Sequence, residues 1–256
     1  MIGIMSSLSP VELALAFGIA LVAGTVKGLV GFALPMIVVS GLGMILPPEL
    51  ALAGLILPTL VANAAQALRQ GPAAALASTR RFALFLSVGG VFLLASAQLV
   101  RVLPVNVMLL LIGVPVTLFV LLQLLGIRFH LAAPSARIEA AVGAFAGAIG
   151  GFSGIWGPPT VAYLTALNTP KADQMRVQGV VYCLGAVALM IAHVGSGVLN
   201  AETLPFSVAL VIPAMLGMWL GGRLHDRIDQ TRFRRATLLV LLLAGLNLVR
   251  RGLFFS

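Results

Sequence analysis

An all-α, polytopic integral membrane protein, made of two inverted repeats of about five helical segments each, is the fold class the sequence predicts. Three observations predict it. Hydrophobic residues make up 60% of the chain, charged residues only 9%, and the mean hydropathy is +1.11; a soluble domain carries about 25% charged residues. The apolar residues fall in runs divided by short polar or Pro/Gly stretches, and the order of those runs repeats after the fifth. A water-soluble fold could not hide that much apolar surface.

The runs cover residues 11–26, 28–46, 48–68, 82–100, 104–126, 138–152, 154–168, 177–199, 205–222 and 236–253. Each is expected to be helical, because backbone polar groups in lipid must be satisfied within their own segment. Unbroken apolar runs lack the alternation of an outer-membrane barrel. The runs 138–152 and 154–168 reach only about 22 Å each at 1.5 Å per residue, too short to cross about 30 Å of hydrocarbon. They are expected to be Gly-broken or half-depth helices, and 11–26 with 28–46 a longer hairpin of the same kind. Met1 to Pro10 has no basic region ahead of an apolar stretch, so no cleaved signal is expected.

Charge sets the orientation. With both termini outside, thirteen of the sixteen Lys and Arg residues fall on the inner side, among them Lys27, Arg69, Arg80, Arg81, Arg223 and Arg227. Only Arg101, Arg250 and Arg251 fall outside, which is the positive-inside bias. The net charge of +9 therefore does not point to nucleic acid, since the cations sit in short clusters between apolar runs. Residues 223–235 read as a cytoplasmic loop.

The repeat divides the chain into a first half, 1–126, a cytoplasmic connection, 127–137, and a second half, 138–256. Gly24, Gly28 and Gly31 recur as Gly150, Gly154 and Gly157 at a constant offset. Corresponding loops differ in character, 69–81 being basic and 200–204 not, as two halves entering from opposite faces require.

The two breaks, 24–31 and 150–159, carry the functional expectation. Glycine permits turns and close backbone approach, and Pro35, Pro158 and Pro159 interrupt helix hydrogen bonding nearby. A new helix is expected to start near Gly28 and another near Gly154, each presenting unpaired amides and a partial positive charge suited to an anion. In an inverted repeat both breaks are expected to face one midplane site. Its candidate substrate-binding residues are Lys27, Gly28, Gly31, Ser153, Gly154, Trp156, Gly157, Asn63 and Gln178. The competing reading makes the glycines mere close-packing positions, Lys27 a lysine snorkelling to the interface, and Trp156 an interfacial anchor. His193 is a candidate proton relay beside a structural alternative.

Absences narrow the chemistry. The seven carboxylates all fall at predicted ends or loops, which disfavours a carboxylate-coupled cation pump. Cys183 is the sole cysteine, no HExxH motif occurs, and neither a metal, a cofactor nor enzymatic activity is expected.

The stretches Lys27–Pro35, Gly147–Pro159 and Gly217–Ile228, followed by Phe233-Arg234-Arg235, resemble the sulfite exporter TauE/SafE family of bacterial membrane proteins. The resemblance covers both halves and implies a secondary transporter of the inner membrane. Such a protein would export sulfite, or an organosulfonate such as sulfoacetate, by alternating access. Its partners would be that small anion, the bilayer and a coupling ion, proton or sodium. A channel for small anions or neutral solutes, or a non-transporting membrane scaffold, are the other classes the sequence leaves open.

Overall fold

The computed structural model describes residues 8–97, 104–127, 131, 135–153 and 157–254. Eleven helices are found there: α1 Pro10–Val30, α2 Leu34–Leu42, α3 Pro48–Leu68, α4 Pro72–Arg81, α5 Ala83–Ala97, α6 Val105–Leu124, α7 Ala136–Ser153, α8 Gly157–Ala166, α9 Lys171–Gly195, α10 Leu204–Arg227 and α11 Gln230–Phe254. No strand occurs among the described residues. The helices α1, α3, α9, α10 and α11 are long and apolar enough to cross a membrane, and α4 with α5 forms a sixth candidate bent by 72°. Large apolar side chains such as Leu94, Ile212 and Leu243 are exposed, as lipid-facing positions are.

Two compact units form, one from 1–71 with 179–229 and the other from 72–178 with 230–256. Each draws on both sequence halves, so packing follows different boundaries from the repeat.

In the first unit α1 starts at a capping box: Ser9 N donates to Glu12 Oε2 (2.8 Å) and Glu12 N to Ser9 Oγ (3.2 Å). Pro10 sits at the first helical position, where its missing N–H costs nothing. The helix then runs unbroken through Gly24 and Gly28, which corrects the expected break there. Those two glycines meet another helix instead. A Cβ on Gly24 would collide with the carbonyl of Ala214, and one on Gly28 with that of Met218; Gly217 and Gly221 approach the carbonyls of Leu21 and Thr25 in the same way. The pairing of 24 with 214 and 28 with 218 makes α1 and α10 parallel neighbours with main chains in contact. The actual break follows at Gly31 (φ 89°), whose N–H bonds to Lys27 O, and Ala33 (φ 77°), after which Pro35 opens the short α2. Ala33 is a non-glycine in left-handed conformation, a strain of order 1 kcal/mol held by its surroundings. Leu34, Val38 and Leu42 of α2 pack with Leu55, Phe206 and Leu210 in the core.

Pro58 interrupts α3, and the neighbouring Leu57 N donates to Ser207 Oγ of α10 (3.2 Å), satisfying an amide inside the apolar layer. The C-terminal ends of α1, α3 and α10 lie together. His225 Nδ1 contacts Leu29 O (3.1 Å), and Arg69 pairs with both carboxylate oxygens of Asp226 (2.7 Å).

In the second unit α5 packs parallel to α7 through Gly89, Gly143 and Gly147, and α6 packs antiparallel to α11 through Gly113, Gly245 and Gly252. Glu139 is buried in the first turn of α7, where it accepts from Phe85 N (3.3 Å) and pairs with Arg81 (3.5 Å), so it caps α5 at the α4–α5 bend. The expected basic loop 69–81 is largely helix α4. The expected loop 223–235 is likewise the end of α10 and the start of α11, with only Ile228 and Asp229 between them. Arginine is a good helix former, and once Gly71 (φ 88°) has turned the chain and Pro72 has opened α4, nothing in residues 73–81 stops a helix.

Candidate functional site

Lys27 lies in the last turn of α1, 1% exposed, with the break immediately after it. Its Nζ donates to Asn63 Oδ1 on α3 (2.6 Å) and, at 3.5 Å, to Gly31 O in the break. The ring of Tyr182 on α9 lies 5.9 Å from the ammonium, within cation–π range. Asn63 Nδ2 donates to Tyr182 O (3.1 Å), which turns Oδ1 toward Lys27. Gln66, one turn further along α3, donates through Nε2 to Gly31 O (3.1 Å).

The local sequence explains this convergence. Residues 63 and 66 share a face of α3 at i, i+3 spacing. Gly179 brings α9 against the backbone of Gln66 and Ala67, where any side chain would collide, and so sets the Tyr182 carbonyl one turn on beside Asn63. Gly31 supplies the left-handed turn that points its carbonyl back at Lys27 and Gln66.

Among the described residues both hydrogen-bond partners of the ammonium are uncharged. A buried charge without a counter-charge is costly, and intramembrane lysines are normally paired. A lysine has three donors, and two acceptors are in place. Placement in the last turn of α1 puts Lys27 at the negative end of that helix, where a cation is favoured and can cap carbonyls. The expected helix start near Gly28 is thereby corrected: the positive helix end in this break belongs to α2, whose first-turn amides follow at Leu34. Gly28 contributes to the α1–α10 contact and Gly31 to the break.

The other sequence-predicted residues are placed as follows. In the second unit α7 ends at Ser153 and α8 begins at Gly157, with Pro158 and Pro159 buried; the helix start expected near Gly154 falls on residues outside those described. Gly154 and Trp156 lie outside the described residues. Gln178 is fully buried on α9 at the edge of the second unit. His193, in the last turn of α9, is half-buried with Nδ1 lacking a hydrogen-bond partner among the described residues. It is 11 positions from Tyr182, about 16 Å along the helix, and does not join the Lys27 cluster. Sequence reasoning missed Tyr182, whose contribution is chiefly a main-chain carbonyl, and His225, whose signal was a lone histidine amid the basic end of α10. Among the described residues no group of three or more His, Cys, Asp or Glu could hold a metal ion.

An all-helical chain with five or six membrane-spanning helices and a lysine sealed among them is a polytopic integral membrane protein. A family model described as sulfite exporter TauE/SafE matches residues 16–248, nearly the whole length, and the chain belongs to that family of exporter-type membrane transporters. No curated protein and no solved structure gives a match.

Proposed function

We propose that the protein exports a small sulfur-containing anion, sulfite or an organosulfonate such as sulfoacetate, as a secondary transporter of the bacterial inner membrane working by alternating access. The observation that carries this reading is the Lys27 ammonium, buried at a helix break and held only by neutral partners. Such a charge lacks its complement until an anion arrives. The first-turn amides of α2 follow within the same break and add a second electropositive contact. Asn63 and Gly31 position the ammonium. The second break, with Ser153, Gly154, Trp156 and Gly157, is proposed as an anion-binding element of its own unit.

The repeat belongs to the same proposal. Its support is that the units use like pairings: α1, first in its sequence half, lies parallel to α10, fourth of the helices in the other half; α7, first in the second half, lies parallel to α5. A pseudo-two-fold relation between halves converts one pairing into the other.

The test is flux in proteoliposomes. Lys27→Ala is expected to abolish or strongly reduce saturable sulfite or sulfonate transport while the protein still inserts and elutes as a folded species. Unchanged transport would confine Lys27 to capping α1. Flux that rises linearly with concentration in the unmodified protein would favour a channel.

A further inference from the structure

Charge accounting around Lys27 bears on which ionic form of the substrate the site accepts. Among the described residues of the first unit, Lys27 is the one charged side chain that is fully buried. Among the described residues no carboxylate pairs with it; Glu49 of α3 is 14 positions before Asn63, about 21 Å along the helix. From α3 it meets Asn63 and Gln66, and Arg69 beyond them is already held by Asp226. From the part of α9 that belongs to the first unit the titratable groups are Tyr182, whose ring faces the ammonium, and Cys183, near enough to interact electrostatically; His193 is at the far end of that helix. From α10 there is His225, which contacts the Leu29 carbonyl instead, with Arg223, Asp226 and Arg227 exposed around it. On α1 the only other charge is Glu12, 15 positions away, about 22 Å along the helix. The short α2 carries no titratable residue.

We infer that the site is a receptor for monoanions: the protonated hydrogen sulfite ion or a sulfonate with a single negative charge, and not a dianion, so that of the candidates named above it excludes sulfoacetate, whose sulfonate and carboxylate are both ionised at neutral pH, along with the sulfite and sulfate dianions. The inference rests on the transport reading above. One buried positive charge is neutralised by one negative charge. A dianion would leave its second charge buried without a partner, at a cost of several kcal/mol. Among the described residues of the unit no second cation is buried beside it: Arg69, Arg223 and Arg227 lie exposed at the helix ends. Neutral hydrogen-bond partners such as Asn63 and the Gly31 carbonyl position the ammonium without cancelling its charge.

The experiment uses the full chain in proteoliposomes, with the same pH on both sides, and compares counterflow of sulfite and of methanesulfonate across the range in which hydrogen sulfite loses its proton. The readout is the ratio of the two fluxes, since any titration of the protein affects both and divides out. Sulfate serves as competitor, being a dianion throughout. The ratio of sulfite to methanesulfonate flux is expected to fall about tenfold for each pH unit above the pKa of hydrogen sulfite, as the protonated species does, and sulfate is expected to compete poorly. A ratio that stays flat or rises with pH, or sulfate competing as well as methanesulfonate, overturns the inference while leaving transport intact. No saturable flux of either substrate from folded protein removes the transport reading and this inference with it. Lys27→Met should remove the flux of both substrates and Lys27→Arg should keep the falling ratio; a Lys27→Met protein that still transports with the falling ratio overturns the assignment to Lys27.

Discussion

Replacing Asn63 by aspartate would give Lys27 a counter-charge from within the protein. In the unmodified chain the Asn63 Oδ1 is 2.6 Å from the ammonium, so a carboxylate oxygen at the same place would form a buried ion pair. At an effective dielectric of 20 two unit charges 4 Å apart attract by about 4 kcal/mol, and this pair would be closer still. The substitution also loses the Nδ2 bond to Tyr182 O (3.1 Å), worth about 1 kcal/mol, and buries a carboxylate at a desolvation cost of several kcal/mol. The net effect on folding is therefore small. The effect on an anion is not, because the charge that would hold it is already neutralised: at about 1.4 kcal/mol per tenfold, 4 kcal/mol corresponds to roughly a thousandfold loss of affinity. The assay is the anion-dependent rise in thermal midpoint of the detergent-solubilised protein, titrated with sulfite and methanesulfonate, beside the basal midpoint. Asn63→Asp should keep a midpoint near that of the unmodified protein and lose the ligand-dependent rise. Asn63→Ala, which leaves Lys27 without a counter-charge, should lose far less affinity. An Asn63→Asp protein that binds sulfite as tightly as the unmodified chain would refute the reasoning, since the Lys27 charge could not then be what holds the anion.

Two further outcomes follow from the packing. Gly28→Leu would drive a side chain into the Met218 carbonyl of α10; overpacking of this kind costs about 1–3 kcal/mol, so its thermal midpoint should fall clearly, while Gly18→Ala, at an open position of the same helix, should not lower it. Asp226→Asn breaks an ion pair whose side chains are 39% and 60% exposed, and such pairs are worth about 0–1 kcal/mol; denaturation of this variant should differ little from the unmodified protein, and a large loss would mean that the pair does more than close the helix ends.

Much of the fold was legible because lipid leaves few choices. Long apolar runs had to be helices, and their boundaries at Pro48, Leu68, Leu204 and Phe254 fall close to where composition changes. That Lys27 and Asn63 are buried polar groups in need of partners was legible for the same reason: an amine and an amide stand inside apolar runs, and here each partners the other. The position of the first break was not legible. Glycine serves both to turn a chain and to admit a neighbouring backbone, and the sequence around Gly24 and Gly28 looks the same in either case. What decides is α10, which lies about 190 positions away and meets both residues with its carbonyls. The turn itself fell to Gly31 and to Ala33, and no local rule places alanine in a left-handed conformation. Gln178 drew attention as a polar residue in a span, whereas the part α9 contributes to Lys27's surroundings is one turn further on, at Tyr182, largely through a main-chain carbonyl that leaves no mark in the sequence.

The glycine seam between α1 and α10 has a mechanical consequence. Side chains that interdigitate can change rotamer and let two helices slip, but four sites of main chain seated on main chain leave no compliant layer between them. The pair therefore behaves as a single stiff rod. Whatever movement the protein makes, the last turn of α1 must travel with α10 as freight, and Lys27 with it. Spin labels on these two helices should report one fixed separation in every state, so the hinge has to be sought after Gly31, where the seam ends and the chain first turns away.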